Sequence, residues 1–556
     1  MKNSVNYDII SKKKGVNMFI KKLRIENFKT FGTAREFELK QSTIIVGNNG
    51  VGKTTIIEAL NLALTGNYRG KSVVKNLTQD LFNKDSVKKY LDGLKTEQKQ
   101  ELPKILISIF FDTCPEMNGN GTPDGSAADG FTFSIEFDEK FKECYQRMID
   151  DDEIESLPIE FYQVKWTTFS RASYYSSKFI GYKGLLINSD NFSSNNIYTS
   201  QIIKSYFDDD AAVRMSQAQR RMFDGFLQDS TVQDINTKIS ESDELKERNV
   251  SLGITSVSKT SWESLISAQI DNIPFDNVGK GEQCIVKTYL SFSENSLKNK
   301  AIIMIEEPEC HLSFGNLNKL LSFIKTKLND YQVIITTHSS FVLNKLGINN
   351  LLLLSQSSNC SFDDFCPQTV AFFEKRSGYD TLRFLLSDKA ILVEGDSDDL
   401  IIQRAYLDKY QKLPIEDGVD IITVGLSFLR FLEIAKNLKI NTYVVTDNDG
   451  DITALKTKYQ DYDNIDHIKI CYSEDVVYHK DVGIDKEQVP NLNTLEPELL
   501  RANSRDIINE VLEKSFDTDE KLLHYMIHNK TEVAYGIFMS TKKIKYPAYI
   551  MSAIEK

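Results

Sequence analysis

Two short stretches carry the residue types best suited to chemistry, Ala390-Ile-Leu-Val-Glu-Gly-Asp-Ser-Asp398 and Tyr443-Val-Val-Thr-Asp-Asn-Asp449. Each is an apolar run that ends abruptly in carboxylates. About fifty residues separate them, room for a helical crossover and a further strand. In a doubly wound sheet, neighbouring parallel strands deliver their C-terminal ends to one edge, so Glu394, Asp398, Asp447 and Asp449 would converge there. Clustered carboxylates repel unless cations join them. Hard oxygen donors suit Mg²⁺ or Mn²⁺, and a pair of such cations is a common means of cleaving phosphodiesters. The spacing predicts magnesium-dependent attack on a phosphate ester. Asp396, Asp399 and Asp451 read as solvated or capping residues.

A second constellation lies near the other end. Gly47, Asn48, Asn49, Gly50, Val51, Gly52, Lys53 and Thr54 match G-x-x-x-x-G-K-[ST], between a buried strand (Thr43–Val46) and a helix (Thr54–Leu64). The glycines let backbone N–H groups turn toward phosphates, and the helix N-terminus adds positive potential. Lys53 would reach the β/γ-phosphates and Thr54 would ligate Mg²⁺, with Thr55 next in the cradle. A second buried strand, Ala301–Ile305, ends in Glu306, which could hold the metal through water, and Glu307, which could polarise the attacking water. A third, Gln332–Thr336, leads to His338, placed to contact the γ-phosphate. Gly279 and Gly281, in Val278-Gly-Lys-Gly-Glu-Gln283 before a helical stretch (Cys284–Phe292), could present N–H donors to an anion.

The elements that must position these groups are legible in outline. Phe19–Phe28 and Ala34–Leu39 alternate like half-buried antiparallel strands. Ile105–Phe111 and Phe131–Phe137 suggest a hairpin around a Gly/Asn/Asp/Ser-rich loop, and Ile159–Phe169 another strand. Residues 200–264 turn polar, with helical periodicity over 211–226. The 556 residues exceed one core and imply several domains. We read 1–17 as a flexible tail, 18–380 as one domain with about 200–264 as an inserted helical dimerisation arm, and 381–556 as another. No apolar run is long enough to span a membrane. Seven cysteines without a CxxC pair argue against a disulfide or thiolate-zinc frame and fit a cytoplasmic location. The net charge of −12 excludes a generally basic nucleic-acid binder but leaves room for a local basic groove.

The order P-loop, Gly-Lys-Gly segment, Glu-Glu strand and histidine resembles the ATPase head of the ABC class, near its recombination-and-repair branch. It departs from that class in lacking a Leu-Ser-Gly-Gly consensus and in carrying Glu306 where Asp is usual; for the Q-loop that the resemblance implies, Gln79 is only a candidate. The resemblance implies that the glycine-rich segment of one subunit closes on ATP held by another, hence a homodimer or higher homo-oligomer through the heads. Glu394-Gly-Asp-Ser-Asp398 followed by Asp447-x-Asp449 resembles the toprim fold.

Together, an ABC-type P-loop ATPase domain with an inserted helical arm followed by a Rossmann-like toprim domain resembles the overcoming-lysogenization-defect family of ATP-dependent nucleases, including its Gabija-type members. The similarity runs from about Met18 to Lys556. By that resemblance Glu496 is a further metal-site acid and Lys530 a cation near the scissile phosphate. The implied function is an ATP-regulated, metal-dependent endonuclease on double-stranded DNA in anti-phage defence, with a possible second defence component and no membrane. The competing reading is an ATP-driven DNA clamp or sensor without cleavage. The lysines at 542, 543 and 545 with Tyr546 and Tyr549 read as a solvated basic-aromatic face within reach of phosphate.

Overall fold

The computed structural model describes residues 19–95, 101–151, 154–188, 209–241, 268–292, 301–328, 330–355, 359–361, 365–375 and 379–555, with 207, 250–253 and 262 besides. The expected tail, residues 1–17, lies outside them. By contacts the chain divides into two units, one of residues up to Ile44 with Gly52–Thr337, the other of Ile45–Val51 with His338 onward.

In the first unit, strands β1 (Ile20–Glu26) and β2 (Arg35–Glu38) pair antiparallel, as their alternation predicts. The chain continues through β3 (Ser42–Gly47), whose residues are all buried, and α1 (Lys53–Thr65). Strands β4 (Ile105–Phe111), β5 (Ala128–Phe137) and β6 (Tyr162–Thr168) extend the antiparallel sheet in the order β6-β5-β4-β1-β2. Ile105 opposite Ile135 confirms the expected hairpin. The sheet's inner face is aromatic: Trp166 is fully buried, edge-on to Phe133 at 5.0 Å. Its indole Nε1 donates to the Ala63 carbonyl at 2.8 Å, which fixes the P-loop helix against the sheet. A buried indole N–H without such an acceptor would be costly, so this bond selects the helix position.

Three further strands run parallel: β7 (Lys183–Asn188), β8 (Ala301–Glu306) and β9 (Gln332–Thr336). Between them in sequence come α2 (Asp209–Leu227), α3 (Ser230–Ser240, capped by Asp229), α4 (Lys280–Ser291) and, after β8, α5 (Phe314–Lys327). Helix α2 occupies the stretch where 3.6-residue periodicity was expected. The near-continuous aliphatic runs of β8 and β9 are those of strands covered on both faces.

The second unit begins with the end of β3 against β10 (Leu351–Leu354). A Cβ on Gly47 would lie 2.4 Å from the Leu354 carbonyl oxygen, so the first P-loop glycine is demanded by close backbone approach. A four-stranded parallel sheet follows, built from β11 (Lys389–Val393), α6 (Asp396–Tyr410), β12 (Val419–Thr423), α7 (Phe428–Leu438), β13 (Asn441–Val445), α8 (Ile452–Tyr459) and β14 (Ile468–Cys471). Its order is β12-β11-β13-β14. Chain direction across the sheet reverses at β11, so the ends of β11 and β13 lie side by side at the crevice where such folds place their ligands. Helices α9 (Leu495–Ala502), α10 (Asp519–His528), α11 (Lys530–Met539) and α12 (Ala548–Ala553) complete the unit around one apolar core.

Candidate active site

The Lys389↔Asn441 register between β11 and β13 brings Glu394 and Asp447, each just past its strand, to neighbouring positions on one edge. Asp398 lies in the first turn of α6, and its Oδ2 accepts from the Gly395 N–H at 3.0 Å. That bond orients the carboxylate as well as capping the helix. After β13 the loop is held by Asn448, whose Nδ2 donates to the carbonyls of Ser473 (2.7 Å) and Asp475 (2.9 Å). Its Oδ1 accepts from Gly450 N at 2.9 Å. Asp449 adopts a left-handed backbone (φ 49°), the conformation this tight turn requires. Its Oδ1 accepts from Asn491 Nδ2 at 2.8 Å. Asp451 instead caps α8, as expected, whereas Asp399 is neither solvated nor a cap: it is half-buried and accepts from Gln403.

Glu496, in the first turn of α9, is buried, and Lys530 Nζ at the start of α11 lies 3.4 Å from its Oε2. Burial, with Glu394 and Glu496 adding to it against the Gly395 N–H and Lys530, pushes the Asp398 carboxyl up to about 6. Burial, then Asp398, Glu496, Glu394 and Asp449, pushes Asp447 up to about 8. The structure thus brings Glu394, Asp398, Asp447, Asp449, Glu496 and Lys530 into one electrostatic neighbourhood. Among the described residues no three acidic side chains close into a finished metal cage. The donor set is nonetheless all oxygen and anionic, and carboxylates buried and crowded enough to hold protons near neutral pH are those a hard divalent cation relieves most.

Arg404 ties this site together from behind. Its guanidinium, scarcely exposed, donates to the carbonyls of Ile537 and Phe538 at 2.9 Å each, to Ser540 and to Lys542, while pairing with Asp408 at 2.9 Å. Helix α6, which bears Asp398, is thereby anchored to the end of α11, which begins at Lys530. Sequence reasoning missed Arg404, Asn448 and Asn491, because nothing local marks a residue whose partners are distant carbonyls and turns. It also misread the C-terminal aromatics. Tyr549 is buried, and Tyr546 donates to Asp408 Oδ2 at 2.5 Å, so neither belongs to a solvated face. Burial and the carboxylates of Asp447 and Asp398 raise the Tyr549 hydroxyl well above its usual range.

In the P-loop, Gly52 has φ 107° and a Cβ there would strike the Phe31 ring at 2.6 Å; Gly50 has φ 79°. Lys53 follows, nearly buried, with its charge disfavoured by burial and supported by Glu307, Glu306 and Glu309. The Thr54 hydroxyl donates to Glu306 Oε1, so the P-loop hydroxyl and the strand-end carboxylate stand side by side. Thr55 turns inward to the Thr30 hydroxyl at 3.1 Å. Glu307 has a left-handed backbone (φ 45°) and accepts from the Cys310 thiol, while Glu309 accepts from Thr337 Oγ1 at 2.6 Å. The cluster of acids around Lys53 suits a cationic partner such as nucleotide-bound Mg²⁺. Asn48 contacts Asp388 at 3.5 Å; Gly47, Asn49 and Gly50 form the rest of the loop. His338 follows Thr337, just before Ser339 caps the next helix. Gln79 accepts from Leu157 N at 2.6 Å, an internal structural bond. Helix α4 starts at Lys280, earlier than its apolar pattern suggests, so Gly279 is its N-cap and Gly281 lies in its first turn. A Cβ on Gly281 would meet the His311 carbonyl at 2.4 Å, whereas Gly279 faces open space.

Fold and site together define a P-loop ATPase joined to a toprim domain. The AAA ATPase domain family matches residues 18–343, well over half of the chain, and the chain belongs to that family. The toprim domain of overcoming-lysogenization-defect-like proteins matches residues 385–449. The combination is that of the overcoming-lysogenization-defect family's ATPase-nucleases. The chain is 22% identical over 538 aligned residues to endonuclease GajA of Bacillus cereus, spanning 78% of this chain and 77% of that protein. It is 24% identical over 186 residues to the Old nuclease of Escherichia phage P2, covering 30% and 31% of the two. The Smc head domain of Pyrococcus furiosus is similar over 65% of this chain and 100% of that chain, at 10% identity and a TM-score of 0.34.

Proposed function

We propose that this protein is an ATP-regulated endonuclease that uses Mg²⁺ or Mn²⁺ to cut double-stranded DNA in defence against phage, working in the cytoplasm. The observation that carries this reading is the side-by-side placement of Glu394 and Asp447 at adjacent strand ends, with Asp398 and Glu496 in the same field. The names of the relatives, an endonuclease and a nuclease, support it. Divalent cations, when bound, supply an activated water and neutralise the leaving oxygen. Glu394, Asp398, Asp447, Asp449 and Glu496 hold them, and Lys530 sets positive charge where phosphate oxygens gain negative charge.

On the nucleotide side, the loop from Gly47 to Gly52, with Asn48, Asn49 and Gly50, offers N–H donors to phosphates, and the Lys53 side chain and the Thr55 backbone N–H complete the cradle. Thr54 and Glu306 hold Mg²⁺, Glu307 orients water and His338 touches the terminal phosphate. Gly279 and Gly281 of a second copy close on the nucleotide, and the 200–264 insertion aids that pairing. ATP then biases cutting through its different affinity for two arrangements of the heads. The nuclease module begins at 381, and a second defence component engages the assembly.

The test is plasmid nicking in Mg²⁺ or Mn²⁺, with and without ATP, for the parent, Asp447→Ala and Lys53→Ala. Normal cutting by Asp447→Ala would sink the metal-site assignment. Unaltered ATP binding and cutting by Lys53→Ala would sink the gating role. DNA retention with ATP turnover and no strand cleavage would establish a clamp instead.

A further inference from the structure

We propose that His524 and His528 form a binding site for a borderline-soft divalent transition metal, Zn²⁺, Ni²⁺ or Cu²⁺, separate from the acidic cluster. The two residues lie four apart on α10, so their side chains emerge from one helix face a turn apart. Both are exposed. Their ring centroids are 4.2 Å apart, with planes inclined at 38°.

The hydrogen bonds decide which nitrogens are available. His524 Nδ1 lies 3.0 Å from the Gln488 carbonyl oxygen, and His528 Nδ1 lies 2.8 Å from the His524 carbonyl oxygen. A carbonyl oxygen only accepts, so Nδ1 carries the proton in both rings. In the neutral imidazole Nε2 then keeps its lone pair in each. Backbone carbonyls fixing one ring nitrogen so that the other can ligate is the usual support for a metal-binding histidine. A pair of surface histidines merely stacked on one another has no need of two committed Nδ1 donors.

Geometry and donor type select the ion. Two metal–nitrogen bonds of about 2.0–2.1 Å span at most about 4 Å, so chelating imidazoles must lie close together, and these ring centroids are 4.2 Å apart. Among the described residues no third His, Cys, Asp or Glu completes a cage here, so water fills the remaining positions. Imidazole donors favour Zn²⁺, Ni²⁺ and Cu²⁺, whereas Mg²⁺ and Mn²⁺ prefer oxygen. The pair is therefore chemically distinct from the carboxylate site. It sits directly before Asn529 and Lys530, where α10 gives way to α11, so a bound ion braces that junction.

The experiment is calorimetric titration of Zn²⁺ into the full-length protein held in excess Mg²⁺, with Cu²⁺ electron paramagnetic resonance in parallel. The expected result is a single equivalent that Mg²⁺ does not displace. His524→Ala and His528→Ala each weaken it about ten-fold or more. The Cu²⁺ spectrum shows coupling to two nitrogens in the parent and loses it in the variants. Because both rings are exposed, the metal-free variants keep the parent's melting temperature, which separates ligand loss from misfolding. Zn²⁺ binding that survives either histidine substitution, disappears in Cys144→Ser or Cys366→Ser, or is absent in the parent overturns the proposal.

Discussion

Lys530 and Glu496 form an unequal pair. The ammonium lies 3.4 Å from the carboxylate, with the lysine side chain 48% exposed and the glutamate only 3%. An ammonium held at the rim by a buried acid has further hydrogen-bond donors, which the proposed phosphate contact would use. Half-exposed pairs contribute little to folding, about 0–1 kcal/mol. Lys530→Ala should therefore leave the melting temperature nearly unchanged while lowering metal-dependent cleavage by about 10²–10³-fold. Thermal melts and nicking rates on one preparation check both halves.

Asp447 makes a pH prediction. Its folded carboxyl titrates near 8, raised from an ordinary 3.8 by burial first and then by its acidic neighbours. Between those values the folded state binds more protons than the unfolded one, so metal-free stability falls as pH rises from about 4 to about 8 and levels off above. Asp398, raised to about 6, adds to the lower part of that window. Mg²⁺ should stabilise most at the alkaline end. Asp447→Asn, a neutral isostere, should flatten the metal-free slope and abolish cleavage. Melting curves against pH, with and without Mg²⁺, read the effect; a slope of opposite sign would refute it.

The two glycines of α4 should separate folding from ligand binding. Gly281→Ala drives a methyl group toward the His311 carbonyl, 2.4 Å away, and should cost about 1–3 kcal/mol. Gly279→Ala meets no atom within 4 Å and should be nearly silent in denaturant melts. If Gly279 serves the nucleotide of a second copy, its variant loses ATP-dependent association without losing stability, which light scattering with and without ATP detects.

Arg404 should act as a positioning residue. One guanidinium reaches four carbonyls near the end of α11, a fan that a lysine ammonium cannot reproduce. Arg404→Lys should cost about 2–3 kcal/mol. Saturating Mg²⁺ should restore less cleavage than stability, since Asp398 and Lys530 ride on the two helices it joins. Cleavage rates measured well below the variant's melting point distinguish this from simple unfolding.

The local chemistry was written plainly along the chain. The run Thr43–Val46 followed by Gly47–Thr54 could be little else than a strand, an anion-cradling loop and a helix. Aliphatic runs ending in Glu306 and in Glu394 announced buried strands with acids at their tips. Such features rest on neighbours in sequence, where steric preference and hydrophobic period act directly. The tertiary structure alone decided the rest. The strand-end positions of Glu394 and Asp447 suggested that they would meet, but only the strand order β12-β11-β13-β14 makes them neighbours. Burial of Tyr549 and Tyr546 followed from the packing of α12 and the segment before it, which a lysine-rich stretch does not disclose. The carbonyl fan on Arg404 and the paired Nδ1 bonds of His524 and His528 depend on backbone atoms brought together by folding. Backbone carbonyls look alike in every residue, so no sequence pattern reveals which of them a distant side chain will find.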